Sequence, residues 1–303
     1  MQLVTKSNYL IKTNNLFKTY KEQHAVNEVS MTINRGDIYG FIGKNGAGKT
    51  TFIRLLTQLI EKSSGDLKFN TEGKMKMGAV IEGPVCYPYM SARDNLKYYA
   101  IQRNIKTEKR IDEVLEFVGL ANVDKKKVFK DYSLGMKQRL GIGLAILDNP
   151  EFLILDEPVN GLDPQGIVEI RKIIHRLNKE FGTTILISSH ILSELSLVAT
   201  RYGIINEGKL VKELTSEELA AECGRSISLN TSNNLLAVQL LKSYEYQLEE
   251  KEGLISIKEE KEAMTGIAKL LFENGIYVTS LGYKEENLEE YYLNLISGGN
   301  SND

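Results

Sequence analysis

Residues Gly43-Lys44-Asn45-Gly46-Ala47-Gly48-Lys49-Thr50 fit the pattern Gly-x-x-x-x-Gly-Lys-[Ser/Thr]. Glycines at 43, 46 and 48 let backbone N–H groups converge on phosphate oxygens without Cβ clashes. Lys49 is placed to reach β- and γ-phosphates, Thr50 to ligate Mg²⁺ and Thr51 to hydrogen-bond near an α-phosphate. A second run, Phe152-Leu153-Ile154-Leu155-Asp156-Glu157, ends an apolar stretch in two carboxylates. Asp156 is suited to hold Mg²⁺ through water, and Glu157 to polarise an attacking water as general base. Phosphate loop and acidic pair together point to a nucleoside triphosphate and its hydrolysis.

Such residues work only if particular elements position them. The loop must follow a strand and open a helix, whose positive end then faces the phosphates. Asp37 to Ile42 is a short apolar run before the loop, and Phe52, Ile53, Leu55, Leu56, Leu59 and Ile60 follow a helical period after it, so a helix is predicted over 49–60. Phe152 to Leu155 and Thr184 to Ser188 read as strands buried on both faces of a parallel sheet. Further strands are expected at Leu10–Leu16, Ser30–Ile33 and Lys76–Ile81, and a hairpin at Tyr202–Val211 turning on Asn206-Glu207-Gly208. Helices are expected at Ser91–Asn104, Ile111–Val118, Met136–Leu147, Pro164–Phe181 and Ser193–Ala199. The fold class is α/β: a domain over about 8–215 with a helical insert over about 88–148.

The stretch 216–225 is polar and reads as a short helix plus linker. Beyond it, 226–303 has the order strand, helix, strand, strand, helix, strand, with a last helix at Leu288–Ile296. The βαββαβ core is the ferredoxin-like α+β arrangement, read as a binding or dimerisation module or as a packing extension.

Composition narrows the class. The chain has 303 residues, 42% apolar and 26% charged, with a net charge of −2, so no basic field points to nucleic acid. No apolar run reaches the eighteen or so residues of a membrane helix, and Met1 to Thr13 lacks a signal-peptide core. Cys86 and Cys223 are read as reduced cytosolic thiols. His24 and His175 have no motif around them, and Lys125 to Lys127 read as a solvated face.

Between loop and acidic pair lies Tyr132-Ser133-Leu134-Gly135-Met136. A Ser-x-Gly step opening a helix, ahead of the acidic strand, resembles the Leu-Ser-Gly-Gly-Gln signature of ABC-type ATPases, with Tyr132, Leu134 and Met136 as departures. Asn160-Gly161-Leu162-Asp163 stands where that family has its dimer-contact loop. His190, in Ser188-Ser189-His190, stands at its switch histidine, and Tyr20 where an aromatic stacks on adenine. The family's usual Gln after the strand leading into the insert is replaced by Glu82, which could still ligate Mg²⁺ but could not donate a hydrogen bond. The resemblance spans about 8–215 and implies a P-loop NTPase core, a RecA-like lobe with antiparallel β elements.

The same resemblance implies ATP and Mg²⁺ as cofactors and a second ATP-binding subunit, a copy or a close paralogue, closing head to tail. ATP would then lie between Tyr20, Gly43 to Thr51, Glu82, Asp156, Glu157 and His190 of one subunit and Ser133, Leu134 and Gly135 of the other. Catalytic roles fall to Lys49, Glu157 and His190. A polytopic membrane permease is the implied partner, with the chain peripheral on the cytoplasmic face and docking near Glu82 to Arg93. Ile81-Glu82-Gly83-Pro84 with Tyr87-Pro88-Tyr89-Met90-Ser91 looks like the bacitracin-resistance and lantibiotic-immunity branch, implying export of a membrane-active peptide antibiotic. Competing readings are export of another substrate such as lipid or drug, an ABC-type ATPase without a permease acting on ribosomes or DNA, and a nucleotide-dependent structural dimer. The short insert, single ATPase domain and lack of a basic surface disfavour the ribosome or DNA reading. Intact Lys49, Asp156 and Glu157 disfavour the structural dimer.

Overall fold

A computed structural model describes residues 8–105, 108–223, 225–251, 253–285 and 288–298. The chain divides into two compact units, Met1–Ser216 and Glu217–Asp303.

The first unit is built on two sheets. One joins β1 (Tyr9–Tyr20), β2 (Gln23–Val29) and β3 (Thr32–Asn34), with a later strand, β5 (Ser64–Phe69), pairing antiparallel to β1. The other contains β4 (Ile38–Ile42), β6 (Met77–Val80), β7 (Phe152–Asp156), β8 (Thr184–Ser189), β9 (Arg201–Asn206) and β10 (Lys209–Thr215), in the order β10-β9-β4-β8-β7-β6. Only β10 runs antiparallel to its neighbour. Every residue of β4, β7 and β8 is buried. That burial is why these runs carry no polar alternation. Tyr39, Phe41, Phe52, Ile53, Phe152, Ile154 and Leu186 form part of the core.

Helix α1 (Lys49–Leu56) follows β4, and the insert carries α2 (Ala92–Gln102), α3 (Glu108–Phe117) and α4 (Leu134–Ala145). α1 is shorter than expected. Thr57 returns its hydroxyl to the Ile53 carbonyl, and Gln58 takes a left-handed φ of 57° that no helix continues through. Two strands went unforeseen. β5 opens Ser-Gly-Asp, which reads as a turn, and β2 contains Asn and Glu, so its pairing with β1 overrides weak propensity. α5 (Pro164–Phe181) has the expected bounds, with Asp163 as N-cap and left-handed Gly182 as C-cap. α6 is a single turn, Leu192–Leu195, shorter than the expected 193–199.

α7 (Ser216–Glu222) leads to the second unit, β11 (Arg225–Thr231), α8 (Asn234–Ser243), β12 (Leu248–Lys251), β13 (Leu254–Ile257), α9 (Ala263–Glu273), β14 (Val278–Glu285) and α10 (Leu288–Gly298). Its sheet has the order β12-β13-β11-β14 with antiparallel neighbours, the ferredoxin-like arrangement. Ile227, Leu229, Leu241, Ile255, Ile267 and Leu271 fill its core.

Two glycines let α4 lie close against the site's scaffold. A Cβ on Gly78 of β6 would collide with the Ala145 carbonyl, and one on Gly141 would lie 2.6 Å from the Pro84 Cβ. Gly78→Ala should therefore push α4 off the sheet and lower unfolding free energy by about 1–3 kcal/mol. Urea unfolding followed by circular dichroism checks this; an unchanged midpoint would contradict it.

Candidate active site

The phosphate loop is the crossing from β4 into α1. Gly48, the N-cap of α1, has φ 103° and offers no side-chain cap, so the first N–H groups of the helix are left for an anion. A Cβ on Gly48 would strike the Ala25 carbonyl, and one on Gly43 would sit 2.7 Å from the Ile205 carbonyl. The loop is thus wedged between β2 and β9, and Gly208 N–H ties down the Ala47 carbonyl at 3.0 Å. Lys44, Asn45 and Gly46 are exposed, whereas Ala47 is buried. Lys49 is only 6% exposed. Its Nζ donates to the carbonyls of Gly43 (2.6 Å) and Lys44 (3.3 Å) and lies 3.2 Å from Glu157 Oε1. Thr51 is half-buried on the first turn of α1.

Parallel register brings the acidic pair alongside. Asp156, 5% exposed, accepts hydrogen bonds from Thr50 Oγ1 (3.0 Å, at Oδ2) and Ser188 Oγ (2.5 Å, at Oδ1). No Lys, Arg or His nitrogen of the described residues pairs with it. Glu157 holds a left-handed φ of 51°, an unfavourable conformation for a residue with a side chain. Its N–H donates to Ser188 Oγ at 3.0 Å and the Ser188 carbonyl at 3.2 Å. Its Oε2 meets His190 Nδ1 at 2.7 Å, and an ionised carboxylate there makes Nδ1 the protonated nitrogen. Its Oε1 is buried and faces Lys49 without hydrogen-bond geometry. The structure therefore brings Lys49, Thr50, Asp156, Glu157 and His190 together.

Other expected site residues stand apart. Glu82, at a left-handed φ of 61°, places its carboxylate 2.7 Å from Arg54 Nη2 and makes no contact with Thr50 or Asp156. A guanidinium on α1 lies within reach and binds the carboxylate first. Tyr20 ends β1, half-exposed, with Lys18 Nζ 4.9 Å above its ring. Ser133 is the N-cap of α4, its Oγ accepting from Met136 N–H at 3.3 Å. Leu134 is half-exposed, and a Cβ on Gly135 would find no atom nearer than 3.9 Å. The packing of this chain alone thus gives no steric reason for glycine at 135. Neither Ser133, Leu134 nor Gly135 hydrogen-bonds Lys49, Thr50, Asp156, Glu157 or His190. Asp163, read as a subunit contact, caps α5 through Gly166 N–H at 3.0 Å.

Three features escaped the sequence. Ser188 braces both acids, Arg54 holds Glu82, and Glu157 bonds His190 directly. A serine two residues before a motif histidine was the one available signal for the first. Tyr132, a departure from the usual signature, has a local reason: its hydroxyl accepts from Ala92 N–H at 3.1 Å, fastening the start of α4 to the start of α2.

Comparison with known proteins agrees with this geometry. Residues 26–160 match the family model described as ABC transporter. The chain is 43% identical over 302 residues to the bacitracin transport ATP-binding protein BcrA of Bacillus licheniformis, covering 96% of this chain and 98% of that one. The chain belongs to the ABC transporter family, as an ATP-binding subunit that hydrolyses ATP. It is also 46% identical over 211 residues to the lantibiotic transport ATP-binding protein SrtF of Streptococcus pyogenes, covering 67% of this chain and 90% of that one. Among solved structures, cbiO1 from Clostridium perfringens, part of the ABC transporter complex cbiONQ, superposes with a TM-score of 0.64 at 26% identity, covering 78% of this chain and 96% of that one. No helix among the described residues of this ABC ATPase is long and apolar enough to cross a membrane.

Ser188 donates to Asp156 and receives the Glu157 N–H, so if Asp156 holds Mg²⁺, Ser188→Ala should raise the Mg²⁺ concentration for half-maximal turnover roughly 10–100-fold, the usual cost of losing a partner that orients a ligand. Titrating ATPase rate against Mg²⁺ measures this. An unchanged half-saturation would contradict the bracing role.

Proposed function

We propose that this subunit powers export of, and so immunity to, a membrane-active peptide antibiotic, as one of two ATP-binding subunits under a polytopic membrane permease. Near-full-length similarity to a bacitracin transport protein and similarity to a lantibiotic transport protein support the substrate class. In that assembly the chain lies on the cytoplasmic face of the cell membrane and touches no nucleic acid. The loop near Val85 to Met90 suits the permease. Val85 and Tyr89 are well exposed, while buried Asn95 bonds the backbone of Tyr87, Met90 and Ser91 and keeps the loop in shape.

The observation that carries the catalytic reading is the Lys49–Glu157–His190 constellation, with Lys49 opening α1 and Glu157 and His190 just beyond the ends of β7 and β8. ATP lies over Gly43 to Thr51 with its adenine near Tyr20. Glu157 accepts a proton from water as the water oxygen bonds the γ-phosphorus, and the bond from that phosphorus to the β–γ bridging oxygen breaks, leaving ADP and phosphate. His190 steadies Glu157 and Lys49 draws on the phosphates. Ser133, Leu134 and Gly135 serve the facing subunit, a copy or a close paralogue, in keeping with the lack of any hydrogen bond from them to their own chain's acids.

The residues fit Mg²⁺. Asp156 is a buried carboxylate met only by hydroxyls, a costly state without a cation. Among the described residues no three acidic, His or Cys side chains could hold an ion by themselves, so Thr50 and Asp156 would share it with phosphate oxygens. Once bound, Mg²⁺ neutralises charge on the triphosphate. Glu82, which pairs with Arg54 through Oε1, is kept as a further candidate ligand.

Glu157→Gln should retain ATP binding and lower kcat by roughly 10²–10⁴-fold, the usual worth of a general base. Nucleotide-binding calorimetry beside a phosphate-release assay checks it, and near-normal turnover would remove Glu157 from the role. In cells, disrupting this chain should raise sensitivity to bacitracin or a lantibiotic to the same degree as disrupting its permease. Unaltered sensitivity to every such peptide would refute the substrate class.

A further inference from the structure

α5 and α6 meet at an ion pair outside the catalytic constellation. Arg171 Nη2 lies 2.6 Å from Glu194 Oε2, with the side chains 27% and 25% exposed. Arg171 Nε is buried without a hydrogen-bond partner. The pair borders a cavity of about 20 Å³ that is also lined by Pro158, Val159, Ser189 and Leu195. Pro158 and Val159 follow Glu157, and Ser189 precedes His190, so the pair lies behind both members of the hydrolytic dyad.

α6 needs such support. It is one turn long and lacks a side-chain N-cap, and so short a helix has no stability of its own. Buried Leu192 and Leu195 hold it by apolar contacts, which are non-directional. Ser189 Oγ accepts from Ile191 N–H at 2.9 Å and fixes the near end. Glu194, within that single turn, pairs with Arg171 of α5, and just beyond it the Leu197 carbonyl lies 3.2 Å from His175 Nε2 of the same helix, so two contacts from α5 restrain the far end. The helix that holds it is itself anchored, because Glu169 of α5 lies 3.4 Å from Arg139 Nε of α4. A partly buried ion pair adds little net stability, so its use here calls for a reason other than stability.

We propose that Arg171 and Glu194 are positioning residues for hydrolysis: they fix the segment carrying His190 so that its imidazole meets Glu157 in the reactive geometry. This rests on the reading of Glu157 and His190 as the hydrolytic pair. A shift of the imidazole by an ångström is enough to misalign the base, with a cost of up to about 100-fold in rate.

The full-length chain tests it, with ATP and Mg²⁺. Glu194→Gln and Arg171→Met should lower kcat at least roughly tenfold, with KM for ATP unchanged, since neither residue touches the nucleotide. The charge-swapped double variant, Arg171→Glu with Glu194→Arg, should recover much of the rate, and the pH profile of kcat in the single variants should differ from that of the parent. Should Arg171→Met fail to fold, Glu194→Gln, which keeps an acceptor for the guanidinium, carries the comparison. Parent-like kcat in the folded single variants, with His190→Ala inactive, would overturn the positioning role alone. Parent-like kcat in His190→Ala would overturn it together with the reading beneath it. Loss of rate only in step with thermal stability, without recovery in the double variant, would mark the pair as structural and overturn it too.

Discussion

Ile42 pairs with Ser189, and Asp156 pairs with Ser188, across the parallel strands β4, β8 and β7. That register is the constraint on which the site depends. Parallel strands end together, so the phosphate loop, the acidic pair and His190 emerge side by side although they lie far apart in sequence. A one-residue slip of β8 would exchange which of its side chains point to each face. Ser188 would then lose Asp156, and His190 would lose Glu157. Complete burial of these strands makes such a slip costly, and the same burial gives them their unbroken apolar sequences.

Charge in the site is arranged around that edge. Lys49 is held by two loop carbonyls and faces one oxygen of Glu157, while His190 holds the other. Asp156 is satisfied by hydroxyls alone. The two acids therefore have different environments and suit different tasks. Glu157 is partnered by groups that can carry charge and can accept a proton in a defined direction. Asp156 meets two hydroxyls and no cationic side chain among the described residues, which suits the metal-holding role proposed for it. The strained backbone at Glu157 is what separates them, turning adjacent side chains toward different partners.

Local chemistry was legible from the sequence, and long-range pairing was not. The glycine loop, the acidic strand end and the bounds of α5 could be read because each carries its own signals: glycines at fixed offsets, an apolar run, and Asp163-Pro164 and Gly182 at the two ends of a helix. The strand and helix order of the second unit was readable for the same reason, and its sheet closes in the order that pattern implies. Strand β5 was hidden because Ser64-Gly65-Asp66 looks like a turn until β1 pairs with it. The Glu82–Arg54 and Glu157–His190 contacts join residues 28 and 33 positions apart, and no spacing rule reaches across that distance. The single turn of α6 was overestimated because its apolar residues satisfy a helical period that the chain abandons after Leu195.

The two-subunit site proposed above is open to a direct test. Ser133 caps α4 within its own chain and makes no hydrogen bond to Lys49, Thr50, Asp156, Glu157 or His190, and the proposal assigns the signature to the facing copy. Mixing two inactive variants of the full chain, Glu157→Gln and Ser133→Arg, tests this most directly. A mixed pair contains one site with an intact acid and an intact signature, so the expected result is recovery of an appreciable part of the parent ATPase rate. A mixture no more active than its separate components would show that each chain works alone, and would contradict the two-subunit site.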